Sequence, residues 1–186
     1  MVKSRGCAVQ FRFGGSGGQG LQLSAKVLAA ALLSAGRTIA LSQSYEPTSR
    51  GGISRSDLVV GDGDAGVNYP LATQLDHLVL LDEVAAASSM PLVRAGGLVL
   101  SEAGVEGVGA RTFILLRLPF VESARRLGNE RVANAIALGA LIAASEVCST
   151  DTVVAAIREE TPRKFVEINL EAFALGQRMA LARAAV

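Results

Sequence analysis

The residues of this chain whose types and spacing are best suited to chemistry are the glycines at positions 14–20. This segment, GGSGGQG, holds five glycines in seven residues and includes the pattern Gly-x-Gly-x-x-Gly at Gly15, Gly17 and Gly20. It separates a strand-like run from an Ala- and Leu-rich helical run, so backbone N–H groups and the positive end of a helix dipole can face an anion. The pattern predicts a phosphate-bearing ligand, with tight packing of a helix on a strand as the structural alternative.

A second candidate lies in the polar segment 43–56, which contains Pro47 and the run Arg50, Gly51 and Gly52. A guanidinium beside permissive backbone, in a loop at the edge of a sheet, suits the recognition of phosphate or carboxylate. A loop that simply turns on its two glycines is the structural alternative.

The same glycine pattern occurs in dinucleotide-binding folds, which also need an Asp or Glu about 20 residues later to hold the ribose. Here the second predicted strand ends in Leu41-Ser-Gln-Ser44, and the first acid, Glu46, lies beyond it. The sequence also lacks the Gly-Lys-Ser/Thr of a P-loop. A free-standing nucleotide-dependent oxidoreductase is therefore disfavoured, but it stays open as an alternative.

The other reactive side chains favour structural roles. The single histidine, His77, starts a buried strand, and Asp82 and Glu83 follow that strand, where carboxylates commonly cap the next helix. Cys7 and Cys148 are far apart in sequence and are too few for an iron–sulfur cluster. We predict no catalytic group and no metal site in this chain.

Composition limits the partners. The 186 residues suit a single domain, and a net charge of +1 provides no general attraction for nucleic acid or an anionic membrane. The hydrophobic fraction is 50% with only 4% aromatic residues, which predicts that other chains bury part of the surface. The N-terminus has no signal segment and the longest apolar run, 135–144, is too short to span a bilayer, so we expect a cytoplasmic protein without membrane contact.

Hydrophobic periodicity predicts an α/β fold that is Rossmann-like, with a mostly parallel sheet, flanking helices and a helical C-terminal third. Strands are expected at 7–13, 37–42, 57–60, 76–81, 97–100 and 112–116, and helices at 21–35, 84–94, 121–127, 130–145, 150–160 and 166–184. The first strand, helix and second strand should form a right-handed βαβ unit with parallel strands. Gly139, in Ala-rich surroundings, should let another backbone approach closely.

Three stretches resemble the gamma-subunit family of 2-oxoacid:ferredoxin (or acceptor) oxidoreductases. They are GSGGQG at 15–20, SYEPTSRGGISRSD at 44–57 and LGNERVANAIALG at 127–139. Their order along most of the chain makes the resemblance specific. Glu46 departs from the pattern, because the family commonly has glycine before the proline that stands here at Pro47. This departure affects the expected shape of the loop.

The resemblance implies a subunit of a thiamine-diphosphate enzyme that oxidatively decarboxylates a 2-oxoacid, transfers the acyl group to coenzyme A and passes electrons to ferredoxin. Alpha and beta subunits, with or without a delta subunit, would hold the thiamine diphosphate and the iron–sulfur clusters, and the isolated chain would be inactive. The gamma-type domain would help to receive coenzyme A. That role falls on these residues: Gly15, Ser16, Gly17, Gly18, Gln19, Gly20, Arg50, Gly51 and Gly52.

A purely structural assembly module, whose glycines admit partner backbones without touching a ligand, remains the main alternative. The 2-oxoacid is expected to be pyruvate, 2-oxoglutarate or a branched-chain acid, and the short separate subunit favours 2-oxoglutarate.

Overall fold

The computed structural model describes residues 8–45, 51–61, 67, 69–108 and 112–184. Within these ranges, six strands form one sheet: β1 Val9–Ser16, β2 Thr38–Tyr45, β3 Ile53–Gly61, β4 Leu75–Leu80, β5 Val93–Glu102 and β6 Ile114–Leu118. The α-helices are α1 Leu21–Ser34, α2 Ala86–Ser89, α3 Phe120–Arg126, α4 Ala133–Ser145, α5 Thr150–Glu160 and α6 Val166–Ala184. Short 3₁₀ turns occur at Glu83–Ala85, Met90–Leu92, Glu130–Val132 and Arg163–Phe165. The mixed sheet with flanking helices and a helical C-terminal third confirms the predicted fold class.

The strand order is β2-β3-β1-β4-β5-β6. Strands β1, β4, β5 and β6 pair in parallel, whereas β3 pairs antiparallel with both β1 and β2. Strands β1 and β2 both run antiparallel to β3 and so run in the same direction as each other, as predicted. The expectation that the sheet is parallel in this region is wrong, because the antiparallel strand β3 lies between them. The physical reason is the connection 46–52 between β2 and β3, which is shorter than the dozen or so residues that a parallel crossover needs.

The main core lies on one face of the sheet. Phe11 and Phe13 of β1 are 1% exposed and pack among residues of α1 and of the C-terminal helices. Every residue of α4 from Ala133 to Ile142 is buried. A helix buried on so many sides must pack closely against its neighbours, and α4 does so against α6.

The opposite face of the sheet has a smaller apolar cluster and a buried ion pair. Arg12 donates from Nε to Oδ1 of Asp57 at 2.7 Å and from Nη2 to Oδ2 at 2.8 Å, and the two side chains are 3% and 2% exposed. Arg12 also donates to the Ser88 carbonyl, and Asp57 accepts from the Ala72 N–H. The pair therefore joins β1 and β3 to the segments that cover this face.

The predicted helix at 84–94 is wrong in extent. Its place is taken by 3₁₀ turns around the single turn of α2, after which β5 begins at Val93. Pro91 lies at the start of the second 3₁₀ turn, where its ring and missing N–H oppose a continuous α-helix. In the described part of the chain, no helix is long and apolar enough to cross a membrane.

Candidate functional site

The glycine segment begins inside the sheet rather than after it. Strand β1 continues to Ser16, and Gly14 and Gly15 are buried. A Cβ on Gly14 would lie 3.1 Å from the Ala85 Cβ, and one on Gly15 would lie 2.2 Å from Oε1 of Gln19. These two glycines are needed for close packing, which is the structural alternative that the sequence left open.

Gln19 holds the turn against the neighbouring strand. Its Oε1 accepts from the Ser16 N–H at 2.8 Å, and its Nε2 donates to the Leu81 carbonyl at 3.3 Å, just past the end of β4. The oxygen and the nitrogen of the Gln19 side-chain amide therefore both have hydrogen-bond partners within the chain. Gln19 stabilises the turn, and the Ser16 N–H already donates to it.

Gly18 is exposed and Gly20 is half-buried, and both have left-handed backbone conformations. Their φ angles are +92° and +74°, a region that side chains rarely adopt. Gly20 is the N-cap of α1, and no side chain caps this helix end. The N-terminus of α1 consequently presents backbone N–H groups and a positive dipole end, as the sequence predicted.

The second predicted segment contacts the first directly. The Gly17 N–H donates to the Gly52 carbonyl at 3.0 Å, one residue beyond the Ser16–Ile53 pair of β1 and β3. Gly51 is exposed, with a φ of +79°. Arg50 lies outside the described residues. The structure thus brings Gly51 and Gly52 beside the glycine turn.

A cavity of about 330 Å³ adjoins the N-terminus of α1. It is lined by Gly18, Gly20, Leu23, Asn129, Arg131, Val132, Asn134, Phe165 and Asn169. Of the predicted site residues that the structure describes, Gly18 and Gly20 are in this lining. The remaining walls come from the start of α4 and from the approach to α6.

Asn134 connects the cavity to the glycine turn. It is 3% exposed, and its Nδ2 donates to the Gly20 carbonyl at 2.9 Å. The backbone carbonyl of Asn134 accepts from Ser24 Oγ at 3.1 Å. A Cβ on Gly20 would lie 2.6 Å from Nδ2, so Gly20 is needed for this contact. Oδ1 of Asn134 is buried without a hydrogen-bond partner in the described structure.

A cationic residue, Arg131, is part of the cavity lining. Arg131 is exposed, and its backbone N–H is held by Oδ1 of Asn129 at 3.1 Å. Lys164 Nζ lies 4.8 Å from the centre of the Phe165 ring. Asn169 is 7% exposed and donates to the Phe165 carbonyl at 2.8 Å. The described lining residues include no carboxylate, so the cavity is electrostatically suited to an anion.

Sequence reasoning gave no chemical role to Arg131, Asn134 or Asn169. The sequence did contain a signal for a polar contact at Asn134. This amide interrupts an otherwise apolar helix, and a buried amide must be hydrogen-bonded. Arg131 and Asn169 carry no comparable signal, since exposed arginines and helical asparagines are common in surface positions.

A larger cavity, of about 500 Å³, lies at the opposite edge of the sheet and includes Asp76, His77 and Arg94 in its lining. His77 stacks on Phe11 with ring centres 4.6 Å apart. Burial lowers the pKa of His77 from 6.5 to about 4, against an opposing effect of Asp76 and with a smaller contribution from Arg94. The imidazole is therefore neutral near pH 7, in keeping with the structural role predicted for it.

The remaining polar candidates also have local roles. Asp82 Oδ1 accepts from the Val84 N–H at 3.1 Å, which confirms the predicted cap. Burial raises the pKa of Cys148 to about 11, so the thiol is not activated. Cys7 lies outside the described residues. Within the described ranges, no three His, Cys, Asp or Glu side chains are grouped as metal ligands.

The sequence and the fold are similar to those of known oxidoreductase subunits. The family model described as pyruvate ferredoxin/flavodoxin oxidoreductase matches residues 10–179. A 2-oxoglutarate synthase subunit KorC from Methanothermobacter thermautotrophicus is 35% identical over 91% of this chain and 94% of its own.

Two solved structures share the fold. The keto/oxoacid ferredoxin oxidoreductase gamma subunit from Geobacter sulfurreducens has a TM-score of 0.81 and 33% identity, over 94% of this chain and 99% of its own. A 2-oxoglutarate:ferredoxin oxidoreductase from Magnetococcus marinus has the same TM-score of 0.81 at 20% identity, over 95% of this chain but 31% of its own. The second comparison shows the fold alone, within a longer chain.

Proposed function

The chain belongs to the pyruvate ferredoxin/flavodoxin oxidoreductase family as a gamma-type subunit, and we propose that it acts within a multi-subunit, thiamine-diphosphate-dependent 2-oxoacid:ferredoxin oxidoreductase. In this role, residues 1–186 form a single gamma-type domain in the cytoplasm. Alpha and beta subunits, with or without a delta subunit, hold thiamine diphosphate and the iron–sulfur clusters. The complex decarboxylates a 2-oxoacid, forms acyl-coenzyme A and passes electrons to ferredoxin.

The observation that carries the proposal is the similarity to a separate gamma subunit over nearly the whole of both chains. Dependence on other subunits is also supported by the surface, because Ile114 and Leu181 are 59% and 61% exposed. The KorC relatives, named as subunits of 2-oxoglutarate synthase, favour 2-oxoglutarate as the oxoacid. The isolated chain should be inactive.

We assign the coenzyme A path to the edge where the glycine turn meets the second glycine loop. The Gly17–Gly52 hydrogen bond supports this assignment, because it holds the two segments together beside the uncapped N-terminus of α1. The exposed residues Gly18 and Gly51 and the half-buried Gly20 face the ligand in this proposal. We also assign Arg50 to this site, because it directly precedes Gly51 in the sequence and its guanidinium is suited to binding phosphate.

An assembly module without ligand contact remains the second candidate, favoured by the packing roles of Gly14, Gly15 and Gln19. The free-standing dinucleotide enzyme is disfavoured by topology as well as by sequence. Strand β2, which would carry the ribose-binding acid, lies two strands from β1, or roughly 10 Å.

The test is to reconstitute the complex from this chain and its co-encoded subunits and to measure 2-oxoacid-dependent ferredoxin reduction and acyl-coenzyme A formation. Arg50→Ala should raise the KM for coenzyme A about ten- to hundredfold, as expected for one charge-assisted hydrogen bond. Arg183→Ala, on an exposed arginine in the last turn of α6, is the matched control.

A wild-type complex without activity on any 2-oxoacid would refute the proposed function. An unchanged KM in a fully assembled Arg50→Ala complex would refute only the role of Arg50 and favour the assembly module.

A further inference from the structure

The cavity at the edge of the sheet opposite the glycine turn has the size and the walls of a small-molecule site. Its volume is about 500 Å³, whereas such sites span roughly 300–1,000 Å³ and are lined mostly by apolar side chains with a few polar groups. The cavity lies between the sheet and the ends of two helices. The apolar lining comes from β5, β6, α4 and α6 and includes Leu98, Ile114, Leu116, Ala143, Ala144 and Ala180.

The space exists because the helix ends carry alanine where the sheet carries larger residues. Ala143 and Ala144 lie in the last turn of α4, and Ala180 lies near the end of α6. An alanine side chain ends at Cβ, so these helices leave a gap next to Leu98 and Leu116. Walls of this kind favour an apolar ligand, since its burial removes apolar surface from water.

One end of the cavity is polar but has no net charge. Arg94 donates from Nη2 to Oδ1 of Asp76 at 2.6 Å, and Oδ2 of Asp76 accepts from the Gln10 N–H at 2.7 Å. Both carboxylate oxygens are thus engaged, whereas the Arg94 side chain is 52% exposed and has further N–H donors. A charged ligand would lose its hydration here without meeting an unpaired opposite charge.

His77 supplies a second polar group at this end. The half-buried ring is neutral near pH 7, because burial lowers its pKa to about 4. Its Nδ1 is buried and has no hydrogen-bond partner among the described residues. A neutral imidazole has one donor and one acceptor nitrogen. A hydroxyl group, which both donates and accepts, can therefore bond to the imidazole and to the guanidinium of Arg94.

We propose that this cavity binds a small uncharged molecule with an apolar body and a hydroxyl end, the body against β5, β6 and the helix ends and the hydroxyl between Arg94 and His77. Ile114 and Leu181, which are 59% and 61% exposed, form the mouth. Another subunit that covers these two side chains encloses the ligand rather than displacing it. The site is independent of the proposed function, because it lies at the opposite edge of the sheet from the glycine turn.

The experiment is a titration of the isotopically labelled full chain, followed by NMR, with hexanol, butanol, hexanoate and hexylamine as probes. Hexanol should bind saturably and shift the amide signals of the lining residues. Butanol, which is two methylene groups shorter, should bind about tenfold more weakly. Hexanoate and hexylamine, which carry a charge, should bind at least tenfold more weakly than hexanol. Calorimetry with hexanol repeats the measurement on the reconstituted complex.

Three variants locate the binding. Ala144→Phe should fill part of the cavity and weaken hexanol binding at least tenfold. Ala155→Phe, on an exposed alanine of α5 outside the cavity lining, is the matched control and should change nothing. Arg94→Met keeps a long side chain but removes the donors, and it should weaken hexanol binding about three- to tenfold.

Saturable hexanol binding that is lost in Ala144→Phe and kept in the complex supports the site. Hexanoate or hexylamine bound as tightly as hexanol, equal affinities for hexanol and butanol, unchanged affinity in Ala144→Phe or in Arg94→Met, or no saturable binding would overturn it. Binding to the isolated chain that disappears in the complex would also overturn it, because another subunit would then fill the cavity. The 2-oxoacid activity of the wild-type complex is tested separately and does not depend on any of these results.

Discussion

The backbone carbonyl of Phe173 occupies the place where Gly139 would carry a side chain. A Cβ on Gly139 would lie 2.0 Å from that oxygen, and a Cβ on Gly176 would lie 1.8 Å from the carbonyl oxygen of Ile136. Helices α4 and α6 therefore cross at reciprocal glycines, with each backbone against the other. The predicted close approach at Gly139 is confirmed, and the approaching backbone belongs to this chain.

Gly139→Ala should destabilise the protein strongly. The added methyl group meets backbone rather than a movable side chain, so α4 and α6 must separate, at a cost of about 3 kcal/mol. Urea unfolding followed by circular dichroism would measure the loss. Gly104→Ala is the matched control, because a Cβ there meets nothing within 4 Å, and it should stay within about 0.5 kcal/mol of wild type. Equal stability of the two variants would contradict the observed helix crossing.

The buried pair of Arg12 and Asp57 leads to a second prediction. Asp57→Ala leaves the Arg12 guanidinium buried without its carboxylate, which should cost about 3–5 kcal/mol of unfolding free energy. The double variant Arg12→Met with Asp57→Leu removes both charges and should recover most of that loss. The same urea experiment tests both proteins, and a double variant less stable than Asp57→Ala would show that the pair contributes net stability beyond compensating its own burial.

The sequence predicted the elements better than their pairing. Each predicted strand has a counterpart, because alternation and apolar runs are local signals. Strand β3 lies between β1 and β2 and pairs antiparallel with both. Hydrophobic periodicity carries no information on which strands pair. The helix expected at 84–94 failed for a local reason, since Pro91 interrupts it.

The site was predicted in part. The glycine string predicted the turn that leads into α1, and the family assigned from the motifs is confirmed by the comparisons. The string could not show that Gly14 and Gly15 are buried while Gly17 and Gly18 are exposed, because that division depends on where β1 ends. Arg131 and Asn169 reach the turn only through the packing of α4 and α6.

The free energy of unfolding should depend on pH through the titration of His77. Burial lowers its pKa in the folded protein to about 4 from 6.5, so between these values the unfolded chain binds the proton and the folded chain does not. Stability is therefore fully present above pH 6.5 and is lost as the pH falls towards 4, by about 2 kcal/mol between pH 7 and 5. Urea unfolding at both pH values would measure the loss. His77→Leu, which keeps an apolar side chain against Phe11, should remove this contribution, and a variant that retained the full loss would assign the pH dependence to other groups.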